Sequence, residues 1–230
     1  HGRKRGVGVL AALSIAATVV ASFWIDVGGS AFSNAYETTA WTMLFKRIAL
    51  LAGAIGIFGA IDHVERYFPN RQGEFYVLLL CSLLGMTLIS GAKDLVLLAV
   101  CFELMGIPLA MLATFAKSDH PNGIHRFASE AGLKLYLVSA ASTAIMLFGL
   151  SLVYGMSGTT ELAGISHAAK SPLLGVGMMM TIAGMAFKIG AVPFHLWVPD
   201  TYQGAPTPVV AFLSVAPKAS GLAALVLVTA

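Results

Sequence analysis

Seven stretches of this chain are nearly unbroken runs of apolar residues, separated by short polar turns. They cover roughly residues 7–25, 44–61, 75–89, 95–115, 127–154, 173–196 and 208–230. A bilayer core takes about 20 mostly apolar residues per helix. Lipid offers unpaired backbone groups no partner, so each run must be a helix or a strand of a closed barrel. The runs are too long, and alternate too little, for barrel strands. The pattern therefore predicts an all-α polytopic membrane protein with about seven transmembrane helices. The turn between the third and fourth runs is only a few residues around Lys93 and Asp94.

Composition agrees with this pattern. Of 230 residues, 57% are hydrophobic and 11% charged, against about 25% charged in an average soluble domain. The net charge of +3 is too small to indicate nucleic acid as a partner; the expected surroundings are lipid. Basic residues favour the cytoplasmic side. Placing Arg3, Lys4 and Arg5 there puts Arg66, Arg71, Lys117 and Arg126 on the same side, and Lys46, Arg47, Lys93 and Lys170 opposite. The chain opens on His1 and stops inside an apolar run, so both ends are expected to be internal to a longer protein. The run 7–25 reads as a spanning helix and not as a cleaved leader.

Four charged residues lie well inside the apolar runs, away from their ends, and are the candidates for the membrane interior: Glu103, Lys134, Lys188 and Lys218. A charge at the bilayer centre costs about 2.5–3.5 kcal/mol on insertion scales, so such residues usually face a polar interior. Lys134 lies about two turns into its run and has a second reading, snorkelling to the interface. Glu130 precedes it by four residues and shares its helix face. For the other three the alternative is a structural ion pair. A buried lysine is a proton carrier in principle. Burial lowers its pKa by up to about 3–5, and a nearby carboxylate raises it again. At an effective dielectric near 20, an opposite charge at about 4 Å contributes about 4 kcal/mol. One glutamate and several lysines on different helices are thus sufficient parts for a gated relay.

The backbone adds a second signal. Pro193, Pro199, Pro206 and Pro208 follow Lys188, with Gly190 and Gly204 among them. Proline removes a helical hydrogen bond and clashes with the preceding turn. This density predicts a broken helix, of the kind that lines ion sites in transporters. Pro217 stands directly before Lys218 and is expected to loosen that helix. His195 lies in the broken stretch, and an imidazole is a side chain suited to proton relay near neutral pH; the alternative is a structural hydrogen bond.

Other patterns carry less. Gly155-Met156-Ser157-Gly158 matches the GxSG of intramembrane serine proteases, but here it ends a helix. His120 and His125 flank a Pro-Asn-Gly turn and read as solvated. Cys81 and Cys101 lie in apolar runs as small hydrophobes. Two cysteines cannot hold a four-cysteine cluster, and no haem, flavin or nucleotide motif is present. No metal site is expected.

The string FKIGAVPFHLWVPDTYQGAPTPVVAFLSVAPKA closely resembles the signature of the antiporter-like membrane subunits of respiratory complex I, the proton-pumping NADH:quinone oxidoreductase. QGAPTPVVAFLS looks most like the N-type subunits, and ELMGIPLAML and SEAGLKLYLVSAASTAIMLFG resemble the preceding helices. The likeness covers residues 75–230 well. It implies a larger antiporter-like fold with two inverted five-helix repeats, each containing a broken helix. Residues 1–70 would be N-terminal transmembrane helices, and residues 71–230 the first repeat; the first helix and the second repeat would lie outside the chain.

Carried over by motif, the resemblance implies that Glu103 pairs with Lys134, that Lys188 is the lysine of the broken helix, and that Lys218 leads to a central hydrophilic axis. It implies proton transport coupled to quinone reduction. Redox energy would change the Glu103–Lys134 separation, and Lys188 would then exchange a proton with Lys218 through water and His195. No cofactor is expected on this chain; NADH, FMN, iron–sulfur clusters and quinone would belong to partner subunits, both membrane and peripheral. The helices rich in alanine and glycine point to a bacterial inner membrane ahead of an organellar one. The same helices would serve a cation/proton antiporter or a membrane-bound hydrogenase, and a passive scaffold is the alternative from another class.

Overall fold

The structure, a computed structural model, describes residues 5–116, 127–166 and 171–229. His120, His125, Lys117, Arg126 and Lys170 lie outside the described residues, as do Arg3, Lys4 and the side chain of Arg5. The order is α1 (Arg5–Ala21), β1 (Ser30–Ala31), β2 (Tyr36–Glu37), α2 (Ala40–Tyr67), α3 (Gln72–Ile89), α4 (Leu95–Ala113), α5 (Ala128–Ser157), α6 (Leu162–Ile165), α7 (Pro172–Ile189), α8 (Trp197–Gly204) and α9 (Thr207–Thr229).

Six of these, α2, α3, α4, α5, α7 and α9, are long and apolar enough to cross a membrane. The expected first span is shorter than the run 7–25. Its helix ends at Ala21 after 17 residues, at the lower limit for spanning.

Helix starts follow local chemistry. Thr39 caps α2 by accepting from the Thr42 amide at 3.1 Å. Asp94 caps α4 by accepting from the Val96 and Leu97 amides at 2.7 and 3.2 Å. Ser171 caps α7 by accepting from Leu174 N at 3.1 Å, with Pro172 in the first turn, where its missing N–H is not needed. The GxSG segment does end a helix: Gly158 terminates α5 at φ 71°.

The small hairpin β1–β2 was not visible in the hydrophobic pattern. Its tip is Phe32, Ser33 and Asn34, all at positive φ. Tyr36 bridges to Ala92, and Asp94 bridges to Glu161. These contacts gather the α1–α2, α3–α4 and α5–α7 connections on one side of the bundle, as alternate crossing requires.

The helices pack closely where side chains are absent. A Cβ on Gly149 of α5 would lie 2.6 Å from Thr181 N of α7, and one on Gly184 of α7 would lie 2.7 Å from Ser142 O. Small residues at such crossings let membrane helices approach backbone to backbone. Ser142 completes the join by donating to Gly184 O at 2.9 Å. This close crossing sets the positions of the polar groups one turn further along.

Candidate functional site

The apolar run 173–196 is not one helix. It stops at Gly190, where φ is 75° and the backbone turns left-handed, and resumes as α8 at Trp197. The expected break is therefore present. It places Lys188 in the last turn of α7 rather than mid-helix. A cation there meets the negative end of the helix dipole. Trp197 ties the break together by donating from Nε1 to Phe187 O at 3.1 Å.

Lys188 is buried, with 5% of its side chain exposed. Its Nζ donates to Ser139 Oγ on α5 at 2.5 Å and lies 3.4 Å from Glu103 Oε1 on α4. Thr143, one turn beyond Ser139, donates from Oγ1 to the same carboxylate oxygen at 2.5 Å. The result is one chain of polar groups, Thr143–Glu103–Lys188–Ser139, drawn from three helices. Gly106 makes room for it: a Cβ there would stand 2.8 Å from Lys188 Nζ. A cavity of about 30 Å³ adjoins the lysine, lined in part by Ser139, Ser142, Trp197 and Pro217. That volume accommodates one or two waters.

The expected Glu103–Lys134 pair is corrected. Lys134 instead binds Asp200 Oδ2 of α8 at 2.6 Å and Glu130 Oε1 at 2.7 Å. The i, i+4 relation of Glu130 and Lys134 holds; the long-range partner was misread. Glu103 faces Lys188 because α4 and α7 both lean on the middle of α5, whereas Lys134 lies near its start.

Lys218 sits at mid-length in α9, with Nζ 5.4 Å from the ring centroid of Tyr202. The helix continues through Pro217. His195 lies in the break and is exposed; it is not among the residues lining the cavity at Lys188. Among the described residues, no three His, Cys, Asp or Glu side chains gather as a metal site.

Ser139, Thr143, Asp200 and Tyr202 escaped the sequence reading. Ser139 and Thr143 gave a usable signal, two hydroxyls at helical spacing on the apolar run that carries Lys134. Asp200 gave another, a carboxylate among the prolines.

Comparison with known proteins agrees with this architecture. Residues 92–230 match the family described as NADH:quinone oxidoreductase/Mrp antiporter, TM. NADH-quinone oxidoreductase subunit N of Moorella thermoacetica is 41% identical, over 98% of this chain and 47% of its own length. The subunit N of Heliobacterium modesticaldum is 40% identical, over 96% and 46%. The chain thus spans about half the length of the curated relatives it matches. A chain of respiratory complex I from Thermus thermophilus with bound aureothin superposes with a TM-score of 0.84 at 31% identity, over 99% of this chain and 48% of that one. A chain of the Mrp complex from Dietzia sp. DQ12-45-1b shares the fold at a TM-score of 0.75 and 18% identity, over 95% and 42%. The chain is a multi-pass membrane protein that belongs to the NADH:quinone oxidoreductase/Mrp antiporter membrane family.

Proposed function

We propose that this chain is the proton-carrying part of an N-type subunit in a bacterial, inner-membrane NADH:quinone oxidoreductase. The observation that carries the reading is the buried Lys188 at a helix break, facing Glu103 and Ser139 beside a water-sized cavity.

The chemistry follows from two opposed effects. Burial disfavours a charged ammonium, and an adjacent carboxylate favours it. Lys188 therefore depends on Glu103 for its charge. When the carboxylate approaches, Lys188 takes up a proton. When it withdraws, the ammonium releases that proton to water in the cavity and becomes a neutral amine. Ser139 keeps the Nζ aimed, and Thr143 keeps the carboxylate aimed. Lys218 receives the proton further along. Transport runs against about 2.3 kcal/mol per 100 mV of membrane potential, so it must be driven from outside the chain.

In this reading the chain is a translocating component that holds no redox centre. NADH, FMN, iron–sulfur clusters and quinone act in partner subunits, membrane and peripheral, which supply the driving force.

The test is proton uptake by inverted vesicles carrying the intact complex with Lys188→Ala, measured beside NADH:quinone turnover. Loss of pumping with normal assembly is the expected result. Pumping and turnover both at the unmodified level would leave the buried charges as structure and the chain as a scaffold.

A further inference from the structure

The short helix α8 contacts Lys134 and Lys218 directly and the residue next to Lys188, each through a different side chain. Trp197 bonds to the carbonyl of Phe187, the neighbour of Lys188. Asp200 meets Lys134 at 2.6 Å. Tyr202 lies beneath Lys218. Residues two apart on a helix point about 200° away from each other, so Asp200 and Tyr202 necessarily reach different neighbours. Asp200 reaches α5 and Tyr202 reaches α9.

Eight residues are too few to hold a helix by themselves; isolated helices under about 12–15 residues are marginal. The position of α8 is set by its anchors. On the α5 side they are the Asp200–Lys134 pair and the close seat of Gly204, whose Cβ would lie 2.6 Å from Ala131 Cβ. On the α9 side the anchor is weak: the Tyr202 hydroxyl is buried with no hydrogen-bond partner among the described residues. Only its ring engages Lys218. A ring face attracts a cation within about 6 Å of its centroid.

We propose that Asp200 is a positioning residue that pins α8 to α5 through Lys134 and thereby holds the Tyr202 ring against Lys218. This rests on the proton-relay reading and adds to it a physical link between Lys134 and Lys218. The link replaces the expected Glu103–Lys134 contact as the role of Lys134.

The test uses the assembled complex in liposomes, with Asp200→Asn, Lys134→Gln, the double variant and Asp200→Glu. Amide hydrogen exchange across residues 197–204 reports the tether without reference to transport. Each single variant should speed exchange about two- to fivefold, the scale of one half-exposed ion pair. The double variant should be no faster than either single, because both remove one shared contact. Asp200→Glu should restore slow exchange. In the same vesicles Tyr202→Phe should keep protons pumped per NADH, whereas Tyr202→Leu should lower the ratio with the KM for NADH unchanged. Unchanged exchange in Asp200→Asn, or acceleration that multiplies in the double variant, overturns the tether. Equal pumping by Tyr202→Leu and the unmodified protein overturns the link to Lys218. Full pumping by Lys188→Ala would instead remove the relay reading, while the exchange results would still decide the tether.

Discussion

Lys188 and Glu103 meet at 3.4 Å across α7 and α4, yet they are unequally buried: 5% of the lysine side chain is exposed and 34% of the glutamate. Removing either partner therefore has unequal consequences. Glu103→Gln removes the charge that keeps the buried Lys188 protonated, so the fold must either bury an unpaired ammonium or strip its proton, at a cost of about 3 kcal/mol. Lys188→Met removes the more buried charge, fills similar space and leaves the part-exposed Glu103 its Thr143 bond, so it should destabilise less. Thermal unfolding of the purified protein should rank Glu103→Gln well below Lys188→Met, while both lose proton pumping. The reverse order of melting would mean that the carboxylate, not the ammonium, is the strained member.

Gly106 offers a way to move the ammonium without touching either charge. A Cβ at this position would meet Lys188 Nζ at 2.8 Å and Ser139 Oγ at 3.3 Å. Both are side-chain termini, so the backbone need not move. Alanine also favours helix over glycine by about 1 kcal/mol. Gly106→Ala should fold at least as well as the unmodified protein and pump less. Unimpaired pumping would show that the Lys188–Ser139 contact is dispensable.

The site was legible in part, and the reason is physical. Glu103, Lys188 and Lys218 stand out because charge inside an apolar run is expensive wherever the chain folds. The break after Lys188 was legible from Gly190 and Pro193, since both act on the local backbone. Its location was not, because 191–196 stays largely apolar after the helix has ended. Partner choice was not legible either. Lys134 and Asp200 are 66 residues apart in sequence, and nothing local brings them together. The Glu103–Lys188 register depends on how deeply α7 slides along α5, which Gly149 and Gly184 decide through backbone contact. The hairpin at β1–β2 is two residues per strand, too short for any alternation to show.

That dependence on Gly149 and Gly184 makes the α5–α7 crossing a sharp contrast to Gly106. A Cβ on Gly149 would meet backbone atoms of α7, Thr181 N at 2.6 Å and Gly177 O at 2.7 Å. Backbone cannot rotate away, so the helices must part. Gly149→Val should destabilise by about 1–3 kcal/mol, the usual range for overpacking. It should also separate Lys188 from Ser139, so pumping falls together with the melting temperature. A melting temperature equal to that of the unmodified protein would mean that the helices do not cross this closely.

Asp94 predicts a loss of stability without any loss of chemistry. Its carboxylate accepts from two amides at the start of α4, satisfying donors that have no helical partner. Its neighbour Lys93 pairs with Glu37 at 2.7 Å, but both side chains are more than a third exposed, and such pairs contribute at most about 1 kcal/mol. Asp94→Ala should therefore cost about 1 kcal/mol, and Lys93→Ala less. Glu103 lies more than two turns further along α4, so neither change should alter protons pumped per NADH in assembled complex. A larger effect from Lys93→Ala than from Asp94→Ala would place the main restraint in the Lys93–Glu37 link to the hairpin, and not in the helix cap.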